Sequence, residues 1–169
     1  SPPGITLFPY TTLFRSAANA LYRPATLSSG SVQKYLDCKR GDVAPVYLWG
    51  TYNALHTTYG VLVYQEQLAQ MAREVGNFSL ADGVKLVKLI SKKKVGTIRA
   101  MKEKFMAGAK DNGCPKEDAE LIWEMIEAGG SYLFNKSHAT AYAVTSYLGA
   151  WLKANYPTVF FTVALQWAD

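Results

Sequence analysis

Cations crowd one stretch of this 169-residue chain. Between Lys85 and Lys110 stand nine of its eighteen basic residues against one acid, Glu103, so a chain of net charge +5 is net acidic elsewhere. Such a block suits a polyanion: nucleic acid, a nucleoside triphosphate or an anionic membrane surface. Scattered lysines usually form no more than a solvated helix face. Lys92, Lys93 and Lys94, however, fall in the connection between two amphipathic helices, where N–H groups at the next helix start also meet an anion. Charge and position together favour phosphate.

A second group is Phe134-Asn135-Lys136-Ser137-His138. An amide, a cation, a hydroxyl and an imidazole at the start of a helix make an anion pocket, because that end offers free N–H donors and a favourable dipole. The plainer reading stands equally: Ser137 caps the helix, His138 is a core histidine and Lys136 is solvated. A third group, Tyr64-Gln65-Glu66-Gln67, lies between apolar neighbours, and one carboxylate cannot run two-metal chemistry, so structural hydrogen bonding is its expected role. The sequence holds no Ser/His/Asp set, Walker loop, Rossmann glycine pattern or Asp-x-Asp. Cys38 and Cys114 have no Cys or His at ligand spacing, which leaves no disulfide framework or zinc knuckle and favours a reducing, cytoplasmic setting.

The elements that must position these groups are mostly helical. Residues 1–16, with three prolines and no acid, show no helical period and are expected to be a non-native or disordered leader; Ser1 and Asp169 do not read as natural termini, so a piece of a longer chain is expected. Residues 17–58 are broken by Pro24, Gly30, Gly41, Pro45 and Gly50 and read as loop-rich, with one short helix at Ser31 to Cys38. From 59 onward the pattern is helical, although Val61 to Tyr64 alone passes for a buried strand. Ser79 with Asp82 starts a helix to about Ile90, with Val84, Leu86, Val87, Leu89 and Ile90 inward and Lys85 and Lys88 outward. A helix from Gly96 to Lys110 packs Ile98, Met101, Phe105 and Ala109 and stops at Asn112-Gly113.

Pro115 then takes the first position of an acidic helix to about Ala128, where Leu121, Ile122 and Met125 pack and Glu117, Glu120, Glu124 and Glu127 are solvated. Ser137 caps the uncharged run from Ala139 to Leu152, which is expected to be buried all round. That run is shorter than the roughly 20 residues of a membrane span. The fold class expected is mainly α.

Three segments carry a family resemblance. Leu21-Tyr22-Arg23-Pro24 with Ser29-Gly30 and Lys39-Arg40-Gly41 is the first. Thr58-Tyr59-Gly60-Val61 running into Tyr64-Gln65-Glu66-Gln67 is the second, and Tyr132 to Ala139 with Ala141-Tyr142-Ala143, Ser146-Tyr147 and Trp151 to Ala154 the third. In order and spacing these resemble the alpha subunit of bacterial DNA polymerase III, the C family of DNA polymerases, over roughly residues 20–169. The resemblance implies an irregular multi-helix fingers subdomain over 59–169, joined to a palm through 17–58. It further implies that the palm, outside this chain, carries three aspartates and Mg²⁺.

The family's paired arginines fall on Val87 and Lys88; a lysine keeps the charge without the bidentate fork and a valine keeps neither. Ala25 and Leu133 replace family glycines. By resemblance, Lys88, Lys92, Lys93, Asn135, Lys136, Ser137, His138 and Arg23 bind the incoming deoxynucleoside triphosphate, while Lys94, Arg99 and Lys102 contact DNA. No catalytic or metal-binding residue is expected in the chain. The implied partners are the deoxynucleotide, primer–template DNA, the rest of the polymerase alpha chain and replisome subunits such as the sliding clamp, with no membrane. Two alternatives remain at this point: a non-catalytic helical nucleic-acid-binding module, and a divergent relative in which Val87 marks lost nucleotide binding.

Overall fold

Apolar residues recurring at three- and four-residue spacing make this chain helical through most of its length. The computed structural model describes residues 8–92, 95–130 and 132–168; Lys93 and Lys94 lie outside them. In chain order the helices are α1 (Phe8–Leu21), α2 (Pro24–Leu27), α3 (Ser31–Arg40), α4 (Tyr52–Leu55) with a 3₁₀ turn over His56–Thr58, α5 (Gln65–Glu74), α6 (Leu80–Ser91), α7 (Val95–Asp111), α8 (Lys116–Gly129), α9 (Lys136–Asn155) and α10 (Pro157–Gln166). No strand occurs among the described residues, so the fold is mainly α. The chain divides into two compact units, Ala20–Lys136 and Ser1–Asn19 with Ser137–Asp169.

In the unit of Ala20–Lys136, α5 packs on α4 and α6, and α7 on α6 and α8. Their facing sides bury Leu68, Met71 and Val75 of α5, Leu86 and Ile90 of α6, Phe105 and Ala109 of α7, and Ile122, Trp123 and Ile126 of α8. The local signals explain the element starts. Ser79 caps α6 by accepting the Asp82 N–H at 3.1 Å, and Lys104 of α7 reaches the Asp82 carboxylate at 2.7 Å. The Lys104 hydrogen bond foremost, and the Ser79 hydroxyl donating to the same oxygen at 2.8 Å, hold the Asp82 carboxyl below the usual carboxylate range.

Two left-handed residues, Tyr59 (φ 55°) and Gly60 (φ 78°), turn the chain out of the 3₁₀ turn into the buried extended run Val61 to Tyr64. At Gly60 a Cβ would also stand 2.5 Å from the Val46 carbonyl oxygen, which excludes any larger residue.

Several expectations need correction. Pro115 is the N-cap of α8, not its first residue. The packed side of α8 is rotated from the expected one: Ala119, Trp123 and Ile126 are buried with Ile122, while Leu121 is 50% exposed. The reason lies in α7, whose Phe105 ring meets Trp123 at 5.3 Å and draws that face inward. Val84 is exposed as well, because it borders a groove between α5 and α6 that no side chain of the described residues closes.

In the unit of Ser1–Asn19 with Ser137–Asp169, α1 begins at Phe8, so helix replaces the second half of the expected leader. Arg15 donates to the Ser146 carbonyl at 3.3 Å and the Ser16 hydroxyl to Thr140 at 3.4 Å, with Ala17, Ala139 and Ala143 buried. These small residues are all that α9 buries. Tyr142, Leu148, Trp151 and Leu152 are exposed, and α10 has no buried residue, so the expectation of a helix buried all round fails. Lack of charge makes a helix able to be buried; burial also needs a covering layer, which the described residues supply on one side only.

Two measurements test the packing. In α7 a Cβ on Gly108 would lie 2.0 Å from the Gly76 carbonyl oxygen, whereas one on Gly96 meets nothing within 4 Å. Gly108→Ala is expected to lower stability by about 1–3 kcal/mol or more and Gly96→Ala to raise it by about 0.4–1 kcal/mol, as read by urea unfolding. Burial, aided by Tyr59, pushes the Tyr35 hydroxyl up to about 12 from 10.0. A raised folded-state pKa leaves its stability contribution whole below the unfolded value and removes it as pH climbs through the folded one. Tyr35→Phe should therefore flatten the alkaline loss of stability between pH 10 and 12 in a melting-temperature series.

Candidate functional site

The site is built around a single backbone bridge. Tyr64 and Phe134, seventy positions apart, pair in parallel: the Phe134 N–H donates to the Val63 carbonyl at 3.1 Å, and the Gln65 N–H to the Phe134 carbonyl at 3.0 Å. An isolated bridge in a helical unit leaves its neighbouring backbone groups without a sheet to satisfy them. Gln67, 3% exposed, does so with its side-chain amide. Its Oε1 accepts from the Val63 and Tyr64 N–H groups at 2.9 Å each, and its Nε2 donates to the Ala54 carbonyl at 2.9 Å and the Thr58 hydroxyl at 2.7 Å. Both acceptor sites and both donors of the amide are thus used. Structural hydrogen bonding, expected for this tetrad, is what the structure shows at Gln67.

Glu66, next in the chain, faces outward and does something different. One carboxylate oxygen accepts from the Asn135 amide at 3.1 Å, and the two oxygens share the Lys136 N–H at 3.1 and 3.0 Å. Lys136 is the first residue of α9, so its N–H has no partner within the helix. A carboxylate there also meets the positive end of the helix dipole. The cap therefore comes from α5, and Ser137, expected to cap, is the second helical residue. The Lys136 ammonium stands 5.7 Å from the centroid of the Tyr64 ring.

On another side of Phe134 lies Arg23. Its Nε donates to the Ala20 carbonyl at 2.9 Å, another guanidinium nitrogen donates to the Tyr132 carbonyl, and its Cζ sits 4.6 Å from the Phe134 ring centroid. The guanidinium so ties the start of the unit to the connection before α9. All three sequence segments that carry the resemblance meet at Phe134.

The remaining candidates are more dispersed. Lys88 is exposed in the last turn of α6 and Lys92 at its C-cap, and Lys93 and Lys94 lie outside the described residues. Arg99 is exposed and pairs with Glu103 at 3.7 Å, and Lys102 is exposed. Exposed pairs of this kind contribute little to stability. Asn135 is exposed and Lys136 half-buried, so Lys136 is not simply solvated. Ser137 and His138 are exposed in the first turn of α9, the imidazole 4.5 Å from the Tyr142 ring; the core-histidine reading of His138 is thereby corrected.

A groove of about 400 Å³ runs between α5 and α6, lined among others by Gln65, Glu66, Arg73, Val84, Val87 and Asn135. It brings Val87 and Asn135 to one cavity, while Lys88, next to Val87, is exposed and not among its lining residues. The polar residues Tyr64 to Gln67, flanked by apolar neighbours, suggest in the sequence a face turned to a groove, and Gln65 and Glu66 line one; sequence reasoning missed Arg73 as a groove residue. Arg73 stands seven residues, two helical turns, after Glu66, a signal available in the sequence; the Glu66 cap reaches across seventy residues and leaves no local trace.

Comparison with known proteins gives one consistent picture. Residues 16–113 match the family described as bacterial DNA polymerase III alpha subunit finger domain. DNA polymerase III subunit alpha of Aquifex aeolicus (strain VF5) is 43% identical over 150 residues, covering 88% of this chain and 13% of that protein. The subunit of the same name from Halalkalibacterium halodurans is 42% identical over 146 residues, covering 86% and 13%. That from Pasteurella multocida (strain Pm70) is 39% identical over 152 residues, again 86% and 13%. The chain thus spans about 13% of the length of these curated relatives.

Removing the buried amide is the sharpest test of the site's scaffold. Gln67→Ala leaves two N–H groups, a carbonyl and a hydroxyl without their partner. At about 1–3 kcal/mol for one buried group left unsatisfied, a loss of about 3 kcal/mol or more is expected in denaturant unfolding.

Proposed function

We propose, from the premise that this chain belongs to the finger-domain family of bacterial DNA polymerase III alpha subunits, that it acts as the fingers of a replicative DNA polymerase. In this reading it holds the incoming deoxynucleoside triphosphate and the primer–template DNA against a palm in the rest of the alpha chain. The observation that carries it is the convergence at Phe134 of the three segments that carry the resemblance, which brings Asn135 to the α5–α6 groove with Lys136 next in the chain.

Phosphoryl transfer depends mainly on positioning and on offsetting charge along the polyphosphate. In this reading Lys136, Lys88 and Lys92 supply cations for this, with Lys93, and Ser137 and His138 serve as further hydrogen-bonding groups. Lys94, Arg99 and Lys102 serve the DNA backbone. Arg23, whose guanidinium already bonds Ala20 and Tyr132, contributes by holding the connection before α9. The reaction needs Mg²⁺, but among the described residues no three His, Cys, Asp or Glu side chains gather to hold a metal ion. The reading assigns that ion to palm carboxylates outside the chain.

Further partners under this reading are replisome subunits such as the sliding clamp, in the cytoplasm; among the described residues no helix is long and apolar enough to cross a membrane. A nucleic-acid-binding module without catalytic parentage fits less well with family membership.

The decisive variant is Lys136→Ala in a complete alpha subunit carrying this segment. Loss of one charge-assisted contact to a phosphate, about 1.5–3 kcal/mol, corresponds to a rise in the KM for the deoxynucleotide of roughly tenfold or more. Single-nucleotide incorporation kinetics with KM and kcat both unchanged would remove Lys136 from the nucleotide site.

A further inference from the structure

We infer that Glu66 is a positioning residue of the nucleotide site, whose carboxylate clamps the start of α9 and thereby orients Asn135 and Lys136. The inference rests on the reading of those two residues as nucleotide contacts.

Three features of the geometry support the clamp. The carboxylate binds both groups at once, the Asn135 amide at 3.1 Å and the Lys136 N–H at 3.0 and 3.1 Å, so one side chain fixes an amide plane and a helix origin together. The backbone on which Glu66 stands is itself held on either side. The Gln65 N–H is bonded to the Phe134 carbonyl, and Gln67 is locked by its buried amide. The clamp therefore has a rigid base, which an exposed glutamate on a free helix surface would lack. Finally, Glu66, Asn135 and Val87 line the same groove, so the clamped residue borders that cavity.

Glu66 touches no ligand group in this account; its effect passes through Asn135 and Lys136. The competing idea is that the carboxylate occupies a place a phosphate needs, so that its removal helps the nucleotide. The two ideas predict opposite signs. A clamp requires that Glu66→Ala weaken nucleotide use, because Asn135 and the first turn of α9, without that carboxylate, lose part of their order and must regain it on binding. A competitor requires that Glu66→Ala strengthen it.

The test uses a complete alpha subunit carrying this segment, with the variants Glu66→Ala, Glu66→Gln, Asn135→Ala, Lys136→Ala and the pair Glu66→Ala with Lys136→Ala. Glu66→Ala is expected to raise the deoxynucleotide KM about 5- to 20-fold with kcat changed less than about twofold. Glu66→Gln, which keeps one acceptor oxygen, should recover part of that loss. In the Lys136→Ala background the further effect of Glu66→Ala should shrink, since the two residues act as one unit. Hydrogen exchange over residues 134–140 without nucleotide reads the clamp directly and should speed up in Glu66→Ala.

Unchanged exchange overturns the clamp itself. Faster exchange with an unchanged or lowered KM, while Lys136→Ala raises KM, overturns positioning and leaves the nucleotide site standing. An additive effect in the double variant also overturns it. If Lys136→Ala and Asn135→Ala both leave KM unchanged, the nucleotide reading has failed and the inference falls with it, a result separable from the others by the exchange measurement.

Discussion

One buried amide holds the architecture together. The Tyr64–Phe134 bridge joins the entry of α5 to the entry of α9 in a unit with no strand among its described residues, so no ladder satisfies the backbone beside it. The Gln67 side chain takes over that task with four hydrogen bonds, two of them back to the bridge and two to Ala54 and Thr58. Thr58 in turn donates to Val61 at 2.7 Å, closing a buried polar network under the turn at Tyr59 and Gly60. A network in which every member is satisfied rigidifies its surroundings, and one with a missing member is costly in a low-dielectric interior. The position of Asn135 and Lys136 follows from it, since both are set by residues adjacent to the bridge.

The parts of this architecture legible in the sequence are those with local causes. The start of α6 at Ser79, the stripe of Met101, Phe105 and Ala109 on α7 and the acid-rich first turn of α8 each depend on residues within one or two turns, and the structure places them as their spacing implies. Errors appear where the cause is distant. The rotation of α8 depends on Phe105, the exposure of Val84 on a groove left open, and the cap of α9 on a glutamate seventy residues upstream. Ser137 has the right type for a cap but stands two positions past the N-cap position of α9, and the free Lys136 N–H is taken by Glu66 instead.

The same division applies to charge. A count of lysines locates the cationic stretch but not the direction of its side chains. Lys104, counted within that stretch, is spent on Asp82 and on the Phe78 ring, whose centroid lies 5.1 Å from its ammonium, and so serves the α6–α7 packing. Arg23, a single cation outside the stretch, lies at the centre of the motif cluster. Proximity in sequence was therefore a poor guide to which cations surround Phe134, and the family segments a better one, because what those segments share is a contact in space.

Glu66 and Gln67 show how closely folding and site can be set side by side and still be separable. Consecutive on the first turn of α5, they point to opposite sides of the chain: the neutral amide inward, where a charge would be costly to bury, and the carboxylate outward to a helix start where charge is favoured. Exchanging their types would fail at both positions, for an inward carboxylate has no donors to spare for Ala54 and an outward amide brings no charge to the dipole. A loss at the inner position reaches the whole unit through the bridge. One at the outer position reaches only the two residues it holds, which makes this exposed carboxylate the place where the geometry of the site can be changed while the core beneath it is left intact.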